Sequence, residues 1–262
     1  MTTAFAAVDR AAQPIPLTRL VRVELRKLID TRAGFWLIAV MGLITVVVAG
    51  VQLAVGGNDP AGLSYGNFFG TMNIPTGIIL PIMAILLVTS EWSQRNALTT
   101  FTMEPRRERI VVAKLLASLV AAIAAVVFSL IVGAVANVIA GVVVGDGAGA
   151  WDLTASGLGY AFVLQVCGLL LGFGFAALFL STPAAIVAYF VLPTIISLVS
   201  NLVPWIKEHL ADWIDTGRVS EPFLSSGGVS GAQWAHFLVA YGLWIGVPMA
   251  LGVWRILRSE VK

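Results

Sequence analysis

The chain has 262 residues, 58% of them hydrophobic and 11% charged, with a formal net charge of +2. A soluble domain carries about a quarter charged residues, so this composition excludes an ordinary water-soluble enzyme, and no nucleic-acid partner is expected. One cysteine, Cys167, and two histidines, His209 and His236, cannot build a zinc site or an intrachain disulfide.

The first 33 residues read as a polar N-terminal segment. After Pro14 and Pro16 comes LTRLVRVELRKLIDTRAGFW, in which Leu17, Leu20, Val21, Leu28 and Ile29 share one helical face. Arg19, Arg22, Arg26 and Asp30 fall largely opposite, with Glu24 and Lys27 between them. A basic amphipathic helix of this kind lies in the headgroup plane, as an anchor or as an elbow beneath the first span.

From residue 34 to 254 the chain alternates apolar runs with loops. A run of about 18 or more apolar residues reads as a membrane-spanning helix, because lipid leaves no partner for backbone amides outside the segment. Six such runs occur: Gly34–Val55, Phe68–Thr89, Val111–Val135 (extendable to Val144), Leu158–Leu180, Ala184–Val203 and Phe237–Trp254. The first is too long for a signal-peptide core and should remain in the mature protein. The expected fold is therefore an all-α integral membrane protein with six transmembrane helices.

Basic residues set the orientation. Six precede the first span, five lie in the second loop when Lys114 is counted with it, and three lie in the tail 255–262. Only Lys207 and Arg218 fall on the other side, fourteen against two, so both termini are expected in the cytoplasm. Trp36, Trp92 and Trp254 then mark the inner interface; Trp151, Trp205, Trp213 and Trp234 mark the outer one, with His236 beside them. Lys114 is counted with the loop although it falls within Val111–Val135; the other twenty-nine charged residues lie outside the six runs, which argues against ion-coupled transport through charged groups at membrane depth.

Small residues recur every fourth position at Gly168, Gly172 and Ala176 and at Gly133, Asn137 and Gly141, where helices can approach closely. Pro75, Pro81 and Pro193 permit kinks in the second and fifth spans. Between the fifth and sixth spans, residues 204–217 (PWIKEHLADWIDTG) place Trp205, Ile206, His209, Leu210, Trp213 and Ile214 on one face. Pro204 and Gly217 read as start and stop signals, which predicts one short outer helix. The stretch LSSGGVSGAQ, 224–233, is similar to the signature of ATP-binding cassette ATPases, but it falls on the outer side. It reads better as a turn into the sixth span. No Gly-Lys dipeptide exists for a Walker A loop, so ATP hydrolysis is not expected of this chain.

The loop between the second and third spans, 90–110, is the most polar stretch. A charge cluster is usually a solvated face. Here Glu91, Arg95, Arg106 and Arg107 surround Leu98, Phe101 and Met103, and Pro105 suits a helix start. An apolar tip with basic flanks fits the cleft of a soluble partner.

ELRKLIDTR at 24–32, followed by EWSQRNALTTFTMEPRR at 91–107 and Lys114, resembles the ABC-2-type permease family, the six-span membrane subunits of bacterial ATP-binding cassette transporters. Glu91, Thr99, Thr100, Pro105, Arg106, Arg107 and Lys114 fall on matching positions of the coupling segment. The chain departs from the family at Arg95-Asn96-Ala97, where many members carry Gly-Thr.

The resemblance implies a type V exporter-like fold in the bacterial plasma membrane, with Arg19, Arg22, Glu24, Arg26 and Lys27 on an elbow helix. The 90–110 loop, with Glu91, Arg95, Leu98, Thr99, Thr100, Phe101, Pro105, Arg106 and Arg107, would couple to two copies of a separate ATPase that hold Mg-ATP. No cofactor is expected on this chain, and a second permease copy or a sister permease chain, together with membrane lipid, completes the partners. The second and fifth spans would line the pathway, with Asn73, Met83, Tyr189, Phe190 and Asn201 as candidates. An uncharged pathway suits an amphiphilic or apolar cargo such as a drug, lipid or peptide. A membrane scaffold or immunity protein that recruits a soluble partner through the same loop is the alternative.

Overall fold

The computed structural model describes residues 15–93, 106–145, 147–225 and 228–258. Among them are ten α-helices and no strand: α1 (Leu17–Asp30), α2 (Arg32–Val55), α3 (Tyr65–Ser93), α4 (Arg107–Val143), α5 (Ala155–Phe179), α6 (Thr182–Leu202), α7 (Pro204–His209), α8 (Ala211–Ile214), α9 (Thr216–Leu224) and α10 (Gly231–Arg258). Two 3-10 turns, Gly56–Asn58 and Pro60–Gly62, join α2 to α3. Six helices, α2 to α6 and α10, are long and apolar enough to cross a membrane. Each contains or nearly contains one of the six apolar runs. The 37-residue α4 is the longest; at 1.5 Å per residue it is about 55 Å long and overshoots a hydrocarbon layer of about 30 Å.

Packing divides the six by position. In α3 and α5, 61% and 50% of the most apolar stretch is buried, against 17% in α2 and 11% in α6. So α3 and α5 form the centre, α4 and α10 flank them, and α2 and α6 turn apolar side chains such as Val46, Val47, Ile195 and Leu198 outward. A soluble protein does not leave so much contiguous apolar surface uncovered, so the molecule is membrane-embedded.

The small residues explain the central contacts. A Cβ on Gly172 would sit 2.9 Å from the Pro81 carbonyl oxygen, and one on Gly252 would sit 2.6 Å from the Ala177 backbone. Thus α5 meets α3 on one side and α10 on the other at backbone contact distance, and Pro81 rests on the Gly172 gap rather than breaking α3. The second stripe works differently. Gly133 faces the backbone of Phe69, Gly141 faces Gly149, and Asn137 Nδ2 donates to the Gly149 carbonyl at 3.0 Å. Gly149 has φ +80°, a left-handed conformation that suits glycine.

The α1–α2 elbow is equally specific. Thr31 is the N-cap of α2, its hydroxyl accepting from the Gly34 amide at 3.2 Å. A methyl at Gly34 would collide with the Leu28 carbonyl, so the chain can fold back there only on glycine.

Three sequence expectations change. Residues 204–217 are not one helix. The chain breaks at Leu210, and Asp215 caps α9 by accepting from the Gly217 and Arg218 amides at 3.0 and 3.3 Å. Gly217 therefore lies in the first turn of a helix rather than after the last one, because a capping aspartate two residues before it outweighs the stop signal. Trp205, Leu210 and Trp213 are exposed, while Ala211 and Asp215 turn inward. Ile29 is 58% exposed although periodicity put it on the apolar face of α1. Lys114 lies eight residues into α4 and is 3% exposed, so it does not belong to a solvated loop.

Of the 224–233 stretch, residues 228–230 lead into α10. Ser230 and Gln233 make a reciprocal capping box: the Ser230 amide donates to Gln233 Oε1 at 2.8 Å, and the Gln233 amide to Ser230 Oγ at 3.3 Å.

Candidate functional site: a buried ion cluster joining three helices

The inward face of α1 carries Val21, Leu25 and Leu28, spaced for one helical face, and Glu24 sits among them at 4% exposure. Arg19, Arg22 and Arg26 are exposed. Glu24 therefore points away from water and must find a partner, because an isolated carboxylate in such a setting is costly. It finds two, from α1 itself and from α4.

Glu24 Oε1 is 2.6 Å from Lys27 Nζ, one turn on, and Glu24 Oε2 is 2.9 Å from Lys114 Nζ. Glu91, 5% exposed in the last turn of α3, closes the ring: its Oε1 is 3.2 Å from Lys114 Nζ and 3.3 Å from Lys27 Nζ. Lys114 also donates to the Leu87 carbonyl at 2.7 Å. Its three protons thus meet Glu24, Glu91 and Leu87, the full complement of an ammonium group. Two carboxylates and two ammonium groups cancel in formal charge.

Burial pulls the Lys27 ammonium towards neutrality, but Glu24 and Glu91 together outweigh it and raise its pKa above the ordinary 10.5. Lys27 is consequently charged at any physiological pH. The cluster is held together less by net Coulomb gain than by mutual need. Removing one member of a buried pair leaves an uncompensated charge, at a cost of about 3–5 kcal/mol.

Further polar contacts gather at the same end of the bundle. Arg107, the first residue of α4, donates to the Ile256 carbonyl near the end of α10 at 2.8 Å. Arg109 donates to the Ile15 carbonyl ahead of α1. Arg255 reaches the Leu178 carbonyl at the end of α5 at 2.5 Å. Cations at helix C-termini satisfy carbonyls that have no intrahelical partner and complement the helix dipole. The Thr89 and Thr182 hydroxyls, 2.7 Å apart, join α3 to α6.

Of the residues expected to form a coupling loop, Glu91, Arg106 and Arg107 are described, and Arg95, Leu98, Thr99, Thr100, Phe101 and Pro105 lie outside the described residues. Arg106 is exposed at the N-cap of α4, whereas Arg107 is engaged with α10. Of the elbow residues, Glu24 and Lys27 belong to the ion cluster and the three arginines do not.

The candidate pathway residues separate. Asn73 and Tyr189 line a cavity of about 670 Å³ in the half of the bundle away from α1. Met83, 4% exposed, is packed in the core between α3 and its neighbours. Phe190 is 38% exposed and packs edge-on against Tyr189, and Asn201 is exposed with its amide on the Ser197 carbonyl. Neither they nor Met83 form part of the wall of that cavity.

The pairing inside the ion cluster was missed at the level of sequence. Glu24 reads as one more polar residue of an amphipathic helix, because one of its partners, Lys27, is three residues on in the same helix and the other, Lys114, is 90 positions away. The available signal was Lys114, the one charge inside an apolar run. No protein-family model and no curated protein matches the chain. What its own residues show is a membrane-embedded helical bundle in which α1, α3 and α4 are joined by buried charges.

Proposed function

We propose that the chain is the permease subunit of an ATP-binding cassette transporter, exporting an amphiphilic or apolar substrate by alternating access. The observation that carries this reading is the Glu24–Lys27–Glu91–Lys114 cluster. Glu91 lies in the last turn of α3, Lys114 lies in the second turn of α4, and Glu24 and Lys27 belong to the amphipathic α1; the expected 90–110 coupling segment runs between α3 and α4 in the chain.

A force applied to the loop is therefore delivered to α1, α3 and α4 as one body rather than dissipated in a flexible connection. On this reading two ATPase subunits, each holding Mg-ATP, grip the loop on the cytoplasmic side, with exposed Arg106 at its edge. Their closure tilts the joined base, and α3, with Pro75 and Pro81 between base and far half, bends to open the path in a dimer of permease chains. Arg107 keeps α10 registered with that base.

The test is purification of the tagged chain in mild detergent from cells expressing the neighbouring ATPase genes, with mass spectrometry and an ATPase assay on the eluate. A stoichiometric Walker A protein is expected, lost in the Phe101→Asp, Arg106→Glu variant while the thermal melt of the chain is unchanged. Arg107 is left intact because its reversal would disturb α10. Recovery of the chain alone, or with a soluble partner lacking a nucleotide site, would replace the permease reading with the scaffold one.

A further inference from the structure

The cavity in the half of the bundle away from α1 is walled by α3, α5, α6, α9 and α10 together with the 152–154 segment. It exists because both central helices lack side chains there. Gly70 and Gly77 of α3 and Gly168 of α5 face into it. A Cβ placed on Gly70 meets no atom within 4 Å, so that glycine borders open space rather than a packed neighbour. At about 670 Å³ the cavity lies within the roughly 300–1,000 Å³ range of small-molecule sites.

Its chemistry is one-sided. Asn73 donates its amide to the Phe69 carbonyl at 2.8 Å, which leaves Oδ1 buried with no hydrogen-bond partner. Buried acceptors are almost always satisfied, so an unfilled one on a residue of the cavity wall is unusual. Gln165 Nε2 is turned to Thr76, and the Tyr241 hydroxyl meets Ser220 Oγ at 3.0 Å, so neighbouring polar groups do not compete for that acceptor. Tyr189, Tyr241 and Phe223 contribute ring surface. At the rim stands Asp152, the only charged residue of the wall among the described residues.

We propose that this cavity, contained within a single chain, binds a monocationic amphiphile. The cationic group lies towards Asp152 and the aromatic rings, and the apolar body fills the space left by the glycines. An anionic headgroup would meet Asp152 with no basic residue in the described wall to offset it. Aromatic faces attract a cation at short range, and the effect grows as water is excluded. The inference rests on the permease reading for its consequence, since it names the substrate class of that transporter. It stands or falls by binding alone, which needs no ATPase.

The experiment titrates the purified full chain in detergent with rhodamine 6G, a monocationic amphiphile, and with 8-anilinonaphthalene-1-sulfonate, an anionic one. The signal from an equal amount of empty micelles is subtracted in each case. The expected result is saturable binding of one rhodamine per chain and no saturable component for the anion.

Gly70→Trp, at a position where an added Cβ meets no atom within 4 Å, places a ring in the cavity and should abolish the saturable component. Asp152→Asn, which can still accept the Gly66 amide, should weaken the cation by about threefold to tenfold, as suits a rim charge. Asp152→Asn is the deciding variant if Gly70→Trp lowers the melting temperature. Undiminished rhodamine binding in the cavity variants, saturable binding of the anion, or binding to the micelle only would overturn the proposal. Co-elution of an ATPase alongside any of these would leave the permease reading standing without this site. Probe binding with no ATPase would do the reverse.

Discussion

At the α1 end, Glu24, Lys27, Glu91 and Lys114 satisfy one another across three helices, with Lys114 at 3% exposure and every proton of its ammonium group engaged. In the opposite half the same α3 faces α5 across Gly70, Gly77 and Gly168, and Asn73 Oδ1 has no partner. One helix thus runs from a saturated, charge-bearing base to a half that is under-packed and under-bonded, with Pro75 and Pro81 along its length. The comparison teaches where motion and binding belong. A buried ion cluster resists local rearrangement, because separating Glu24, Glu91 or Lys114 strands a buried charge, whereas empty space lined by glycine can be filled or closed at small cost.

The strongest way to break the comparison is Lys114→Met. It leaves Glu24 and Glu91 buried with only Lys27 between them, and should lower stability by about 3–5 kcal/mol in denaturant titration of the detergent-solubilised chain. Adding Glu91→Leu removes the surplus carboxylate and should recover most of that loss, because Glu24 and Lys27 still neutralise each other at 2.6 Å. A single mutant that costs under about 1 kcal/mol would mean the cluster is hydrated, and the rigid base would go with it.

A second pair of variants sharpens the contrast in packing. Gly252→Ala pushes a methyl to 2.6 Å from the Ala177 backbone, and overpacking of this kind costs about 1–3 kcal/mol. Gly70→Ala adds the same methyl into open space and should be neutral or stabilising by up to about 1 kcal/mol through helix propensity. Equal melting temperatures for the two would show that the far half is as tightly closed as the α5–α10 seam.

The spans were legible in the sequence because burying backbone amides in lipid demands long apolar helices, and that demand writes itself over twenty residues at a time. Even the Gly172 and Gly252 contacts lie on glycines the sequence displays, although the partner of each is invisible there. The ion cluster was illegible for the opposite reason. Glu24 and Lys27 look like members of a solvated face until α4 is laid against α1, and nothing local distinguishes Glu24 from Asp30, which is exposed. Charge alone assigns Lys114 to a solvated loop, yet its depth is compensated by two carboxylates that come from elsewhere in the chain. The broken α7–α9 segment failed on a competition between local signals: face periodicity suggested one helix, and the Asp215 cap started another. The cavity could not be read at all, since a void is a property of how helices fail to meet.

Two pH effects, smaller than the mutational ones, separate the ends by sign. Lys27 has a folded pKa raised above its ordinary 10.5. Its contribution is therefore fully present below that value and is lost only as pH rises through the raised one. Alkaline titration followed by hydrogen exchange of α1 should release the helix in wild type above that point, and Lys27→Met, lacking the contribution already, should show little further change. Asp152, in the other half, moves the opposite way. Burial would raise its pKa, but the Gly66 amide at 2.7 Å and the Ser64 hydroxyl together hold it below the ordinary 3.8. Its contribution is present above 3.8 and fades as pH falls through the lowered value. The carboxylate is exposed, so the effect on the whole fold should be slight, and the place to look is the junction it clasps. Exchange of the Gly66 amide should quicken on acidification relative to its neighbours in α3, after correction for intrinsic rates, and Asp152→Asn should flatten that difference. An amide that exchanges alike in both proteins would mean that α3 and the 147–154 segment are held together by the Tyr65–Ala150 and Gly149–Leu63 backbone bonds alone. The rim of the cavity would then owe its shape to backbone, and Asp152 would be left with its charge as its only part in the site.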